Sequence, residues 1–324
     1  MNAIEARNLV RKFGEVTAVN DVTLDVCQGE IFGFLGPNGA GKTTFINMLC
    51  TLVNPTSGQA TVNGFDIRQQ RNKVRQSIGL VFQDPSLDEY LTAQENLKFH
   101  ALAYSVPNAQ RRIEEVLKMV ELWDRRQVPV RTFSGGMKRR LEIARGLLHR
   151  PRVLFLDEPT LGLDPQTRRS VWQYILETQK QEQVTIFLTT HYMDEAENCD
   201  RIAIIDYGSI VALDTPEILK TRVGGDIVTL EVKDTEAASR ELAERYGVTP
   251  RVDNGLIQFE VEQGSRFIPD VVRGFAQDIK AVSLRSPTLD DVFLKLTGRA
   301  IREEEGGSKD MMRAHVKAWR RGLR

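Results

Sequence analysis

The sequence predicts an α/β fold in which a largely parallel sheet is flanked by helices, carries a helical insert and is followed by a small α+β domain. First, an apolar strand at 31–35 runs into a glycine-rich loop and then into a helix whose apolar residues recur at helical spacing. Second, strands alternate with helices from 153 to 206, the order that builds parallel sheets. Third, a β-α-β-β-α-β order follows position 225, which is typical of a ferredoxin-like domain.

Length and composition indicate an ordinary globular protein with two domains. The chain has 324 residues, of which 41% are hydrophobic and 27% are charged. That length suits one domain of roughly 220 residues and a second of roughly 75 residues. The 44 basic and 44 acidic residues cancel, so the overall charge favours no nucleic-acid partner.

Cysteine spacing and the length of apolar runs argue against two further classes of protein. Cys27, Cys50 and Cys199 lie far apart without a CxxC or Cys/His pairing, so we expect buried thiols and neither disulfides nor a zinc site. The stretch 1–8 lacks the apolar core of a secretory signal. Runs such as 153–156 are too short to cross a bilayer, so a role at a membrane requires a second chain.

Local signals predict the elements of the first domain, 3–222. Residues 3–35 alternate short β-rich runs with turns. Asn63 and Gly64 indicate a hairpin turn, and a buried strand is expected at 78–82. The later elements are predicted to be strands 153–157, 184–190 and 202–206 and helices 165–179 and 192–198.

A helical insert is predicted at about 84–134 within the first domain. Thr92 and Glu95 have the spacing of a capping box, which opens a helix toward 104. A second helix is expected at 109–121, where apolar residues again recur at helical spacing. The insert therefore divides the first domain into two segments of sequence.

The second domain is predicted at 226–299, and a charged tail follows at 300–324. The tail is expected to be solvated, with contact to anionic lipid through a basic helix as the alternative. The elements predicted for the second domain are strands 226–233, 248–252, 256–262 and 281–285 and helices 235–246, 266–277 and 289–296.

The glycine-rich loop after the first apolar strand carries the strongest chemical signal. It fits the pattern G-x-x-x-x-G-K-[ST] and stands between a predicted strand and a predicted helix. Glycines let the backbone wrap a phosphate, successive N–H groups stabilise its oxygens, and the lysine supplies a positive charge. Thr43 offers a hydroxyl to Mg²⁺. The loop consists of Gly36, Pro37, Asn38, Gly39, Ala40, Gly41, Lys42 and Thr43.

Two adjacent carboxylates end the predicted strand at 153–157. The carboxyl ends of parallel strands form the edge where an open sheet binds ligands. Asp157 can hold Mg²⁺ through water, and Glu158 can polarise the water that attacks a terminal phosphate. Alone, the pair is compatible with a solvated strand end, but the phosphate loop in the same chain favours catalysis.

A third motif, FSGGM at 133–137, suits a helix start. Ser134 is a good N-cap, and the two glycines leave N–H groups open to an anion, although a plain helix cap is the alternative. Together with the phosphate loop and the two carboxylates, this run resembles the signature motif of ABC-transporter ATPases. The family usually has leucine where this chain has Phe133, and both are apolar packing residues.

The resemblance covers roughly 3–220 and implies a P-loop NTPase core of ABC type, with a helical subdomain, that binds ATP and Mg²⁺. In that family two such domains pack head to tail, which gives two ATP sites. The signature residues of one copy then face the terminal phosphate held by the other copy; in this chain they are Ser134, Gly135 and Gly136.

The resemblance also implies a role for single residues outside the three motifs. Phe13 stands where an aromatic ring stacks on adenine, and Thr44 joins the phosphate loop in binding nucleotide. Positions 161–164 resemble the D-loop. The implied catalytic residues are Glu158, the switch histidine His191 and the Q-loop glutamine Gln83. The implied metal ligands are Thr43, Gln83 and Asp157.

The run at 286–299 resembles the end of the accessory domain in daunorubicin-resistance-type ATPases, with a generic docking helix as the alternative. That subgroup pairs with ABC-2-type membrane exporters of drugs, lipids or glycans. The resemblance therefore implies a homodimer of ATPase subunits at the cytoplasmic face of the cell membrane. It further implies a separate membrane-spanning subunit as the partner, with no nucleic acid.

Two other functions stay open at this stage. Soluble ABC-type ATPases that act on nucleic acid or ribosomes usually carry a long coiled coil, zinc modules or two cores, features that this sequence does not display. A regulatory module without hydrolysis is disfavoured because each expected polar residue is present. ATP turnover and co-purification with a membrane protein would separate the three possibilities.

Overall fold

The computed structural model describes residues 1–253 and 255–298, and the predicted tail at 300–324 lies outside them, as does position 299 at the end of the second domain. The strands are β1 Asn2–Phe13, β2 Val16–Cys27, β3 Ile31–Leu35, β4 Ser57–Val62, β5 Phe65–Asp66, β6 Ile78–Val81, β7 Val153–Asp157, β8 Thr185–Thr190, β9 Arg201–Asp206, β10 Ser209–Asp214, β11 Asp226–Val232, β12 Arg251–Asp253, β13 Leu256–Val261 and β14 Ile279–Arg285. The helices are α1 Lys42–Leu49, α2 Arg71–Ser77, α3 Ala93–Ala103, α4 Ala109–Met119, α5 Gly135–Leu147, α6 Pro165–Glu182, α7 Met193–Ala196, α8 Pro216–Thr221, α9 Thr235–Tyr246, α10 Gly264–Gly274 and α11 Leu289–Thr297, with 3-10 turns at Trp123–Arg125 and Val130–Thr132.

The central sheet confirms the predicted parallel arrangement. Its six strands lie in the order β10-β9-β3-β8-β7-β6. Neighbouring pairs from β9 to β6 are parallel, and β10 adds an antiparallel edge. Strands β3, β7 and β8 are buried along their whole length, as expected when helices or another sheet cover both faces. Their carboxyl ends therefore meet at one edge of the sheet.

A second, antiparallel sheet of order β2-β1-β4-β5 covers one face of the core. The short β-rich runs predicted for 3–35 are wrong in length, because β1 and β2 each continue for 12 residues. Register shifts along the β1–β2 pair mark bulges, which interrupt the alternation without ending the strands. The local sequence pattern consequently predicted several short runs where the structure has two continuous strands.

Two buried clusters pack the two faces of the central sheet. One lies between the sheet and helices α5 and α6, and it extends into the helical insert. The other lies under the antiparallel sheet and contains five buried phenylalanine rings, with centroids 4.8 Å apart for Phe34 and Phe45 and 5.5 Å apart for Phe32 and Phe187. Because Phe45 belongs to α1, these rings fix the helix that follows the phosphate loop.

The helical insert contains both predicted helices. The capping box is confirmed, since Thr92 accepts a hydrogen bond from the Glu95 amide and the Glu95 carboxylate accepts one from the Thr92 amide. Arg112 of α4 joins the insert to α5 and α6 through Leu147 O at 2.9 Å and through the Glu182 carboxylate at 2.9 and 3.0 Å. The insert is therefore held to the core by a buried guanidinium.

The segment 226–285 has the predicted β-α-β-β-α-β order. Its strands form an antiparallel sheet of order β12-β13-β11-β14 with its own buried cluster. Strand β12 begins at Arg251 and not at 248, because Gly247 caps α9 and the Val248 amide still bonds to Leu242 O. The division into domains at 222 and 226 stays a prediction.

Some predicted helix bounds are wrong for local reasons. The helix expected at 192–198 is shorter, Met193–Ala196, because the amides of Asn198 and Cys199 bond three residues back and not four. The helix expected at 266–277 is Gly264–Gly274, because Phe275 already has extended backbone. None of the helices within 1–253 and 255–298 has the length and apolar character needed to cross a membrane.

The expectation of buried thiols holds for only two of the three cysteines. Cys50 and Cys199 are buried, and burial raises the pKa of both thiols well above the usual value. Cys27 is exposed. The prediction fails at this residue because Cys27 ends β2, one position after the buried Val26, and neighbouring strand residues point to opposite faces.

Gly41, at the end of the phosphate loop, requires the absence of a side chain. Its φ is +106°, and an added Cβ would lie 2.2 Å from the Ala18 carbonyl oxygen. We expect Gly41→Ala to lower the free energy of unfolding, measured by urea titration, by about 1–3 kcal/mol or more. Gly64→Ala is the matched control, because its φ is +75° and its Cβ would meet nothing within 4 Å. Equal losses in the two variants would contradict the steric argument.

Candidate functional site

The phosphate loop lies between β3 and α1 and packs against neighbouring strands. The Gly36 amide donates to Thr190 O at 3.2 Å, and a Cβ on Gly36 would lie 2.4 Å from Ile205 O. Pro37 and Gly41 are half-buried and Ala40 is buried, whereas Asn38 and Gly39 are exposed. The loop therefore presents its tip at the edge where β3, β7 and β8 end, with the positive end of the α1 dipole behind it.

Lys42 is the charged centre of this edge. It is only 5% exposed. Its Nζ donates to Gly36 O at 2.8 Å and to Pro37 O at 3.2 Å, and it lies 3.1 Å from Oε1 of Glu158. The lysine thus closes the loop on itself and connects it to the acidic end of β7. A phosphate entering the loop would compete for the same ammonium group.

Asp157 is connected to the loop through hydroxyl groups. Its Oδ1 accepts from Thr43 Oγ1 at 3.3 Å and from Thr189 Oγ1 at 2.6 Å. Burial raises the pKa of Asp157, and the nearby charge of Glu158 adds to this effect, while the two hydroxyl bonds oppose it. A hydroxyl and a carboxylate side by side are hard oxygen donors of the kind that Mg²⁺ prefers, so this pair fits that ion.

Glu158 has an unusual backbone conformation and a crowded carboxylate. Its φ is +44°, in the left-handed region that costs a non-glycine residue about 1–3 kcal/mol. Its amide donates to Thr189 Oγ1 at 3.0 Å, which holds this conformation. Its carboxylate lies between Lys42 and His191, with Oε2 3.2 Å from Nδ1 of the histidine.

The charge state of Glu158 follows from these neighbours. Burial acts to raise its pKa, but the contacts with His191 and Lys42 outweigh burial and hold the pKa below the usual value. At neutral pH the side chain is therefore a carboxylate. It can accept a hydrogen bond from a water molecule, which is the task of a group that orients a nucleophile.

Other predicted site residues lie apart from the Lys42 cluster, which consists of Lys42, Asp157, Glu158 and His191. Gln83 is exposed, two positions beyond β6. Phe13 ends β1 with 37% of its surface exposed, and the Arg11 guanidinium lies 4.3 Å from its ring centre. Within 1–253 and 255–298, no hydrogen bond or ion pair connects Gln83 or Ser134 with Lys42. Thr44 is half-buried in the first turn of α1.

The signature run caps α5 as the sequence predicts. Ser134 Oγ accepts from the Met137 amide at 3.3 Å. Gly135 is exposed at the start of the helix, where its amide is open to an anion. Gly136 has a packing role as well, because an added Cβ would lie 2.4 Å from Cγ2 of Thr167 in α6.

Comparison with known proteins identifies the family. The ABC transporter family model matches residues 19–161. The linearmycin resistance ATP-binding protein LnrL of Bacillus subtilis is 40% identical over 314 residues, which cover 93% of this chain and 100% of that protein. This chain belongs to the ABC-transporter ATP-binding proteins. The P-loop NTPase fold of ABC type and the ATPase activity expected from the sequence are confirmed, while the accessory domain stays a prediction.

Two further relatives of this ABC ATPase bear on its activity. The daunorubicin/doxorubicin resistance ATP-binding protein DrrA of Streptomyces peucetius is 39% identical over 307 residues, covering 91% of this chain and 92% of that protein. The ATP-binding cassette MJ0796 is known as a dimer in a post-hydrolysis state bound to ADP and Pi. It matches with a TM-score of 0.59 and 28% identity over 65% of this chain and 98% of that chain.

Arg139 is a residue of this ABC ATPase that the sequence analysis missed. It lies in α5, is 6% exposed and pairs with the Glu142 carboxylate at 3.0 Å. Its remaining donors bind main-chain oxygens at 2.6–3.1 Å, those of Phe82, Asp157, Glu158 and Pro159. One guanidinium therefore joins the signature helix to the residue before Gln83 and to the end of β7. The spacing of Arg139 and Glu142 on one helix face was the signal available in the sequence.

Thr189 was also missed as a site residue. Its hydroxyl donates to Asp157 and accepts from the Glu158 amide, so a single side chain arranges both carboxylates. Its sequence signal was weak, because a threonine in an apolar strand is ordinary. Only the pairing of β7 with β8, which places Thr189 beside Asp157, shows its role.

Proposed function

We propose that this ABC ATPase hydrolyses ATP at the edge formed by β3, β7 and β8 and thereby powers export through a separate membrane-spanning subunit. The observation that carries the site assignment is the cluster in which Glu158 contacts both Lys42 and His191. It combines a phosphate-binding cation, a carboxylate for the attacking water and a switch histidine within one buried contact network.

The chemistry assigned to each residue follows from its surroundings. The amides of the phosphate loop and the Lys42 ammonium bind the β- and γ-phosphates, and Thr43 and Asp157 would hold Mg²⁺. That ion would neutralise charge on the phosphate oxygens when bound. Glu158 orients the water that forms the new P–O bond while ADP leaves, and His191 keeps the carboxylate in place.

The complete site requires two copies. Ser134 and Gly135 open the start of α5 to an anion, yet they lie outside the Lys42 cluster of their own chain. We propose a homodimer in which this helix start binds the terminal phosphate held by the partner copy. Gln83 would join Thr43 and Asp157 as a metal ligand once nucleotide is bound, and Phe13 would stack on adenine. MJ0796, which forms a dimer, supports this arrangement.

Export is proposed from the relatives, whose names link them to linearmycin and daunorubicin resistance. We propose a drug, lipid or glycan-like cargo and a location at the cytoplasmic face of the cell membrane. Neither the LnrL nor the DrrA name points to the alternative, an ATPase that acts on nucleic acid or ribosomes.

Two measurements test this proposal on the full chain. We expect the purified protein to release phosphate from ATP with Mg²⁺ and to lose that activity when EDTA removes the ion. We also expect an affinity-tagged chain to co-purify from detergent-solubilised membranes with a polytopic membrane protein. Stable recovery with ribosomes or DNA, and without a membrane protein, would contradict the transport role.

A further inference from the structure

A buried carboxylate outside the cluster described above connects two segments of the site. Glu195 lies in α7 and is 2% exposed. Oε1 accepts a hydrogen bond from the Thr160 hydroxyl, and Oε2 accepts one from the Thr190 hydroxyl at 2.8 Å. Both oxygens of this one side chain are therefore used, and each binds a different stretch of chain.

The two threonines flank the proposed catalytic groups. Thr160 follows Glu158 by two positions, and Thr190 directly precedes His191. Thr190 Oγ1 also accepts from the Tyr192 amide at 3.0 Å, so it restrains the backbone on both sides of the histidine. A shift of Glu195 would move the loop after β7 and the loop after β8 relative to each other.

A third segment reaches the same carboxylate. Arg168 of α6 places its Nε 3.7 Å from Oε1 of Glu195, and its guanidinium carbon lies 3.8 Å from the centre of the Tyr192 ring. The Tyr192 ring in turn lies 4.0 Å from the His191 ring. Helix α6 begins directly after the predicted D-loop at 161–164. The cluster consequently joins the histidine to the helix that follows that loop.

Packing alone does not explain a carboxylate at this place. A buried carboxylate loses hydration, and an apolar side chain of similar size would fill the same space without that cost. What only a carboxylate supplies is two acceptor oxygens for two donors on different segments. The hydrogen bonds therefore indicate that Glu195 holds the segments of Thr160 and Thr190 in position relative to each other.

We propose that Glu195 is a positioning residue for hydrolysis, which holds the His191 and Glu158 segments at the separation that keeps these side chains in contact. This inference rests on the proposed hydrolytic site. Glu195 does not touch the phosphate loop by any hydrogen bond or ion pair of the described residues, so it acts on the turnover step and not on nucleotide binding.

The test is Glu195→Gln in the full chain. Glutamine keeps the size but offers one acceptor oxygen in place of two, so one threonine hydroxyl loses its acceptor. We expect kcat for ATP hydrolysis to fall by about 10- to 100-fold, while the Kd for ATP, measured by equilibrium binding, changes by less than about threefold. The control is Glu197→Gln, since Glu197 is an exposed residue that directly follows the same helix and pairs with Lys220, and this variant should hydrolyse ATP like wild type.

A double-mutant cycle separates positioning from general destabilisation. Thr190→Val removes the hydroxyl that donates to Glu195, so the double variant should lose little more activity than the more damaged single variant. Thr190→Val alone carries the same test if Glu195→Gln does not fold. A kcat within about twofold of wild type, or a loss of activity matched by an equal loss of ATP affinity, would overturn the proposal. Absence of turnover in the wild type would instead contradict the hydrolytic site.

Discussion

Replacement of Glu158 by glutamine is expected to lower kcat for ATP hydrolysis by about 10²- to 10⁴-fold. The amide cannot accept the proton or align the attacking water as the carboxylate does. It also removes the charge that lies 3.1 Å from Lys42, which leaves the ammonium free for phosphate. ATP binding and dimerisation should therefore persist, and the dimer should accumulate because hydrolysis no longer reopens it.

Two readouts check this prediction. Phosphate release gives kcat, and size-exclusion chromatography with ATP and Mg²⁺ gives the fraction of dimer. Glu114→Gln is a suitable control, since Glu114 is a half-buried residue of α4 that pairs only with Lys118 among the described ion pairs. Undiminished turnover in the Glu158→Gln protein would remove Glu158 from the proposed role.

Arg139→Met is expected to produce the largest loss of stability. The substitution leaves Glu142, which is completely buried, without its 3.0 Å partner. It also removes the guanidinium donor from four main-chain oxygens, of which Glu158 O keeps the Leu161 amide at 3.2 Å. Breaking one side of such a buried pair typically costs about 3–5 kcal/mol, because the remaining charge stays in a poorly solvating environment. Urea titration should show this loss in the free energy of unfolding.

The neighbouring residue supplies a matched control. Arg140→Met removes a guanidinium that bonds to the Tyr174 hydroxyl and lies 3.5 Å from the largely exposed Glu121, so a loss of about 1 kcal/mol is expected. Adding Glu142→Leu to Arg139→Met should recover part of the stability, since the buried carboxylate that has lost its 3.0 Å partner is then absent, although the Ser86 amide loses its acceptor. If the two arginine variants lose the same stability, the Arg139 network is not the buried anchor described here.

Local chemistry explains why much of the core was predictable. The phosphate loop was recognised because glycines, a lysine and a threonine stand at fixed spacing between a strand and a helix, and the structure places them there. The capping box at Thr92 and Glu95 depends on residues three positions apart, so neighbouring sequence suffices to specify it. The alternation after 153 likewise predicted the parallel sheet.

Strand length and side-chain exposure were harder to predict. A bulge interrupts the alternation of apolar and polar residues in the same way as the end of a strand does. The sequence pattern therefore predicted several short strands where the structure has the single strand Asn2–Phe13. The burial of Cys27 was predicted wrongly, because which face of a strand is covered depends on what packs there.

Local sequence was therefore enough to specify the strand–loop–helix motif, the adjacent carboxylates and the capped signature helix, because each depends on residues close together in the chain. Which of these motifs meet depends on how the chain folds in three dimensions. Thr43 and Asp157 lie 114 positions apart and are joined at 3.3 Å, and the Arg139 guanidinium binds Phe82 O, 57 positions before it. Such contacts arise because strands distant in sequence pair side by side, and pairing brings together side chains whose spacing along the chain carries no signal.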